Sequence, residues 1–500
     1  MRAERKRREK EQARRKKKGI DIKNLNFFKV LTIVYAVVAI YFLISIIRLN
    51  VLPMLYLALL AIVMGGASYV VIKRLLIHAK EVPQPEKKLR PSSIVAIIMI
   101  IVLTLGSFYL GGTLNFFGNI TGGKQIQNFY VVVNADSEYE KLKDIKGQTV
   151  GLMIQTSEAY SDAQEKLQKK VDVELEKKGT YDVLSQALIN REYEAIFLNS
   201  AYYEMAVEEV SGFTTETTRI LEEITVISEG TDNSKGVDVT KDSFNMYVSG
   251  IDTAGSIGNI SRTDVNMLVT VNPKTRTILL TSIPRDYYVK LGTIGEYDKL
   301  THSGLYGIEE TTATIENLFG IDINYYSRVN FTTVVNLVDA LGGITVNSDY
   351  SFVGKGQDGT QYSFYAGLND VNGEQALAFA RERYSFSEGD NQRVKNQQAV
   401  LSGVINKVTG SSAILTGYNS ILNAVEDNFQ TSLKQKDMTS LVKMQLKDMS
   451  GWNIIQQSVS GSGGMTPVYS IPHMSVYVMY PDEATVSAAS LQIQNVMNGE

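Results

Sequence analysis

Five hundred residues, 44% of them hydrophobic, leave room for two or three domains. The chain has no cysteine, which excludes disulfides, thiolate catalysis and cysteine metal sites. Its three histidines, His78, His302 and His473, stand too far apart in sequence to suggest a histidine zinc site or a catalytic dyad. The net charge of −3 hides a strongly basic first 115 residues and an acidic remainder, the split expected of a chain whose two parts lie on either side of a membrane. Any chemistry must then rest on Asp, Glu, Arg, Lys and hydroxyl groups.

Residues 1–26 read as a basic cytoplasmic tail. Its first twenty residues hold eleven Lys/Arg against three Glu, with no hydrophobic face and no aromatic residue, so a solvated tail is expected and nucleic acid is not an expected partner. Residues 27–117 carry three apolar runs, 27–47, 51–72 and one within 93–117. Each is long enough to cross a hydrocarbon core of about 30 Å as a helix. The turn Arg48-Leu49-Asn50 permits only a tight hairpin. Lys73, Arg74, Lys80, Lys87, Lys88 and Arg90 fill the next loop, so the positive-inside rule puts tail and loop in the cytoplasm. Three spans that start inside finish outside: a multi-pass cell-membrane protein with extracellular C-terminal domains is predicted.

Just beyond, Gly118-Asn-Ile-Thr-Gly-Gly-Lys-Gln125 mimics a phosphate loop, but Gln125 stands where Ser/Thr is needed and no strand precedes it. Residues 124–228 alternate buried-strand runs (129–133, 149–153, 195–198) with helical patterns (157–177, 181–190, 201–209), predicting a small α/β accessory domain with crossover connections. Leu142-Lys-Asp-Ile-Lys-Gly-Gln-Thr-Val-Gly151 resembles a fragment of a bacterial solute-binding lobe; a spacer or docking module is the plainer reading. Residues 229–243 are polar and read as a linker.

From residue 244, three strands follow, near 244–252, 265–271 and 277–282. Asp252 and Asp264 stand at the ends of two adjacent strands joined by a Gly-containing loop, so both carboxylates could reach one point and hold a hard cation, Mg²⁺ or Mn²⁺. They read equally well as turn-capping acids. Residues 309–319 and 331–341 are amphipathic helix candidates, usual as core cover and able also to wall a lipid-sized tunnel. The densest cationic stretch runs from Arg381 to Gln397. Arg381 and Arg383, two apart, would share a face in extended backbone, and Asp390, Arg393 and Gln397 would share a stripe on a helix starting near Gly389. Guanidinium forks suit bidentate phosphate or carboxylate binding, and the alternative is a surface Arg/Glu network with Asp390 as an N-cap. Residues 412–447 look helical, and 467–480 reads as a last strand before a terminal helix.

Six motifs then stand in order: Gly250-Ile-Asp252, Ser261-Arg-Thr-Asp264, Ile283-Pro-Arg-Asp286, Val338-Asp-Ala-Leu-Gly-Gly-Ile344, Gly373-Glu-Gln-Ala-Leu-Ala-Phe-Ala-Arg381-Glu-Arg383, and Asp390-Asn-Gln-Arg393 with Gln397. On them residues 244–485 resemble the extracellular domain of the LytR–CpsA–Psr (LCP) family. The anchor plus accessory domain is similar to its capsule-locus, CpsA/Wzg-type branch in streptococci. The resemblance implies an α/β fold, an α/β/α domain on a central mixed sheet. It also implies a Gram-positive phosphotransferase that moves capsular polysaccharide from a polyprenyl-pyrophosphate carrier to peptidoglycan, with capsule-synthesis membrane proteins among its partners. Carried over, a pyrophosphate clamp falls on Arg262, Arg285, Arg381, Arg383, Arg393 and Gln397, a Mg²⁺ site on Asp252 and Asp264, and an orienting acid on Asp390. Arg285, Asp264, Arg381 and Arg383 are the expected catalytic groups. Five arginines and a divalent cation suit phosphoryl transfer, which rests on positioning and charge stabilisation. A non-catalytic regulator that binds lipid carrier or glycan, and a polyprenyl-pyrophosphate hydrolase, are the competing expectations.

Overall fold

The computed structural model describes residues 27–50, 52–80, 90–120, 125–154, 157–228, 234–251, 257–387, 389–410, 418–426 and 428–500. The basic tail, Lys87 and Lys88 of the basic loop, residues 121–124 of the phosphate-loop mimic, residues 229–233 of the linker, 412–417 and Asp252 lie outside these residues. The chain divides into residues 1–115 and 116–500.

In the first unit, α1 (Phe27–Leu49), α2 (Met54–Lys80) and the start of α3 (Pro91–Ile120) are helices long and apolar enough to cross a membrane, with mean hydropathies of 2.7, 2.2 and 2.2 over their spanning stretches. Leu31, Tyr35, Val71, Leu75, Ala96 and Leu103 meet between them, and the Tyr35 hydroxyl lies 3.0 Å from Ser68 Oγ.

In the second unit, β1 (Gln125–Asn134), β2 (Thr149–Met153), α4 (Glu158–Lys170), β3 (Glu174–Gly179), α5 (Tyr181–Ile189), β4 (Ala195–Asn199), α6 (Ser200–Glu209) and β5 (Thr218–Ser228) form a five-stranded sheet with flanking helices. The strand order is β3-β2-β4-β1-β5, with β2 parallel to both neighbours and β1 antiparallel to both of its own. The helix expected over 157–177 stops at Lys170. The chain turns at buried Val171, and residues 174–179 pair with β2 as an edge strand.

The larger sheet is built from β6 (Phe244–Ile251), β7 (Val265–Asn272), β8 (Thr277–Ile283), β9 (Tyr325–Asn330), β10 (Phe429–Thr431) and β11 (Asn453–Ser458), in the order β10-β9-β6-β7-β8-β11. It is mixed: β6, β7 and β8 run antiparallel, while β9 joins β6 and β11 joins β8 in parallel. Alternation assigns its two faces. Tyr247, Leu268, Leu279 and Ile283 pack against α7 (Ile308–Phe319) and the terminal helix α12 (Glu483–Asn498). Met267, Val269, Val271 and Leu280 face the other way, toward Leu401 and Ile405 of α10 (Asp390–Gly410) and Leu441 of α11 (Gln435–Asp448). Helices on both faces explain why β7 and β8 are almost wholly buried.

Two more helices cover that second face, α8 (Phe331–Ala340) and α9 (Gly373–Arg381). They touch through Gly373, where a Cβ would lie 2.3 Å from the Val335 carbonyl oxygen, and its N–H donates to Asp339 Oδ1 at 2.8 Å. Asp339, within the fourth motif, is thus a structural acceptor. Gly373→Ala forces α8 and α9 apart and is expected to cost about 1–3 kcal/mol, read as a lowered unfolding midpoint of the detergent-solubilised chain.

The stretch expected to be helical over 412–447 is broken by β10, which pairs with β9. The last strand is a hairpin, β12 (Gly461–Val468) with β13 (Ile471–Pro481). Val468, Ile471 and Val478 of this hairpin are buried together with the core of the five-stranded sheet.

Candidate functional site

The loop after β8 turns at Pro284 and presents Arg285. Its Nη1 donates to Asp264 Oδ1 at 2.7 Å, joining the ends of β7 and β8. Burial works against the Arg285 charge, but Asp264 and Asp286 outweigh it and leave its pKa raised. Asp286 is also paired, with Lys299 Nζ at 3.0 Å.

Helix α10 supplies the second half. Gly389, at φ +56°, makes the left-handed turn that opens it, a conformation that costs glycine little. Asp390 in the first turn then holds Arg393 one turn on, Nη2 to Oδ1 at 2.6 Å. Burial pushes the Arg393 guanidinium below its ordinary pKa; Asp390 opposes this, and Arg285 and Arg383 reinforce it. Arg393 therefore lies within electrostatic reach of Arg285, Arg383 and Asp264, and Asp390 within reach of Arg285. Among the described residues, two of these guanidiniums carry a buried Nε–H with no hydrogen-bond acceptor, Arg285, whose Nε lies 3.7 Å from Asp286 Oδ2, and Arg393. Buried donors on like-charged neighbours are costly until an anion accepts from them.

Arg381 and Arg383 do not share the face that extended backbone would give them. Helix α9 runs to Arg381, and the chain leaves it at Glu382 in extended conformation. Arg383 turns toward Tyr384, donating to its hydroxyl at 2.6 Å, while Arg381 lies 4.4 Å over the Phe331 ring. Arg381 and Gln397 instead line a cavity of about 160 Å³ between the sheet and α8, α9 and α10. Its walls are otherwise almost entirely apolar, among them Val248, Met267, Leu337, Leu377, Leu401 and Val404. Because Arg381 is exposed, the cavity meets solvent beside a cation.

Arg262 points elsewhere. Its fork donates to Glu208 of α6, Nη1 to Oε2 at 2.6 Å and Nη2 to Oε1 at 2.7 Å. The segment before it is tied to the smaller sheet, since Ile126 donates to the Gly258 carbonyl at 2.8 Å and accepts from Ile260 N–H at 3.1 Å. Sequence reading missed Glu208 and Phe331. Phe331 opens an amphipathic helix and could have been flagged, whereas nothing in residues 200–209 signals an acid that reaches a site 54 positions downstream.

The site thus has a cationic cluster beside an apolar cavity. Asp264, with oxygen donors only, suits a hard cation; Asp252, the other expected ligand, lies outside the described residues, and no group of three or more metal-ligating side chains gathers among the described ones.

The LytR_cpsA_psr family pattern matches residues 211–486, more than half of the chain. The chain belongs to the LytR–CpsA–Psr family. Similar proteins include the polyisoprenyl-teichoic acid–peptidoglycan teichoic acid transferase TagU of Bacillus licheniformis, 33% identical over 54% of this chain and 84% of that one. The Enterococcus faecalis TagU is 34% identical over 52% and 81%, and that of Bacillus subtilis 38% identical over 42% and 69%. Like them, this LytR–CpsA–Psr protein is a transferase.

Proposed function

We propose that this protein attaches capsular polysaccharide to peptidoglycan outside the membrane, taking it from a polyprenyl-pyrophosphate carrier by phosphotransfer. The observation that carries the reading is the pair of buried guanidinium Nε–H groups of Arg285 and Arg393, without a hydrogen-bond acceptor among the described residues, beside an apolar cavity, a shape and charge suited to a prenyl chain ending in a diphosphate. The prenyl chain occupies the cavity under α8, α9 and α10. Arg381 and Gln397 meet its diphosphate where the cavity opens, and Arg285, Arg383 and Arg393 surround the phosphate oxygens.

In the transfer, a hydroxyl of the wall glycan attacks the phosphorus that bears the polysaccharide. A phosphodiester forms, the P–O bond to the second phosphate breaks, prenyl phosphate leaves, and the hydroxyl proton is released to water. The arginines stabilise charge that grows on the bridging and equatorial oxygens, and Asp390 keeps Arg393 aimed. Asp264, with Asp252, would hold Mg²⁺, which supplies further neutralisation of diphosphate charge. The three apolar helices anchor the chain with the tail in the cytoplasm. The anchor, with the accessory domain, favours the capsule-locus branch.

Purified protein in detergent, given lipid-linked capsular polysaccharide and peptidoglycan, is expected to yield a covalent glycan–wall product. Chelation by EDTA should lower the yield by about tenfold or more, restored by Mg²⁺. A product from lipid-linked teichoic acid but none from the capsular donor would overturn the substrate assignment; EDTA-insensitive transfer would overturn the metal. Phe331→Ala, which removes the ring beneath Arg381, is expected to lower transfer about three- to tenfold, while Phe331→Tyr stays near wild type in the same assay.

A further inference from the structure

Glu208 stands at the end of α6, ahead of the family match that begins at residue 211, yet its carboxylate holds the fork of Arg262, one of the family-motif arginines. Other charges converge there. Asp264 and, more weakly, Glu204, one turn back on α6, also act on Arg262, and Arg285 and Lys299 act on Glu208. The Arg262 hydrogen bond, with these cations, holds the Glu208 carboxyl below the usual range despite partial burial, so the contact is a full ion pair at neutral pH. The two partners are unequally confined. The Arg262 side chain is 18% exposed and that of Glu208 54%. A half-exposed glutamate can swing into water at little cost, whereas a confined guanidinium must find another anion.

We infer that Glu208 is a displaceable counter-ion: it occupies Arg262 while the clamp is empty, and the diphosphate of the incoming lipid takes its place, so the smaller sheet sets the affinity of the larger one for its donor. The inference rests on the diphosphate reading of the site. It gives the accessory region a role in donor binding, since each lipid bound must break a contact between the two sheets.

The test uses the full chain in detergent and geranylgeranyl diphosphate as probe. Glu208→Gln and Glu208→Ala are expected to bind it roughly three- to tenfold more tightly than wild type, with the gain shrinking in 1 M salt, where the Debye length is about 3 Å. Glu216→Gln, an exposed acid of the same region, should match wild type, and geranylgeraniol, which lacks phosphate, should bind all forms alike. Equal affinity in the Glu208 variants overturns the counter-ion role, and weaker affinity makes Glu208 a positioning partner of Arg262 instead. If wild type binds and Arg393→Ala does not, the clamp stands whichever way Glu208 falls; if no form binds the diphosphate, both readings fall.

Discussion

Arg285→Ala is expected to lower glycan transfer by about 100-fold or more, mainly in kcat, when compared well below the variant's unfolding midpoint, which falls because Asp264 is left unpaired. Three features single out this arginine. It links the two halves of the cluster, hydrogen-bonded to Asp264 and within reach of Asp390. Among the described residues its buried Nε–H has no hydrogen-bond acceptor, only Asp286 Oδ2 at 3.7 Å, so it is poised for an oxygen that develops charge during reaction. Its removal also strips Asp264 of its cation, so the variant loses a phosphate donor and gains an unpaired carboxylate facing the diphosphate. Arg285→Lys restores the charge but not the fork, and should recover only part of the rate, staying about tenfold below wild type. Arg276→Ala is the control. That arginine is paired with Asp448 at 3.0 Å and stacked on Trp452, apart from the cluster, and its loss should leave transfer within about twofold. If Arg285→Ala kept wild-type transfer, the reacting phosphate would have to sit elsewhere.

Where the sequence spoke clearly, one physical signal dominated. Continuous apolar runs marked the membrane helices and the doubly covered strands β7 and β8, because burial on all sides leaves no polar position to confuse the period. The Asp390–Arg393 pair was legible because helical spacing alone makes it. The errors fall where long-range pairing overrides local pattern. Strand β3, Glu-Leu-Glu-Lys-Lys-Gly, is an exposed edge whose polar composition continues the preceding helix, and only β2 holds it extended. Strand β12 is rich in glycine and only its end falls within the strand expected over 467–480, yet it pairs with β13 along most of its length. Residues 381–383 straddle a helix end, which separates two arginines that spacing had placed together. Glu208 belongs to the same class of miss, since its role depends on where one sheet meets another. Local chemistry named the arginines, but which of them share one site was a property of topology.

Filling the cavity separates lipid recognition from phosphate recognition. Ala380 lies on α9 in the cavity wall, next to Arg381, and an indole at that position would take up much of a space of about 160 Å³. Ala380→Trp is expected to weaken geranylgeranyl diphosphate binding by at least about tenfold and to lower transfer about 100-fold, because a prenyl chain excluded from the apolar walls loses most of its burial. Inorganic pyrophosphate, which needs only the arginines, should bind the variant within about threefold of wild type. Overpacking is also expected to cost about 1–3 kcal/mol of stability, so binding is to be compared well below the variant's unfolding midpoint. Val404→Trp fills the cavity from α10 and should act alike, which makes local distortion of α9 an insufficient explanation if both variants lose the lipid. Retained lipid affinity in both would put the prenyl chain outside this cavity. Parallel loss of pyrophosphate would mean that the cavity and the clamp are mechanically one, with α9 and α10 carrying Arg381 and Arg393 out of place together.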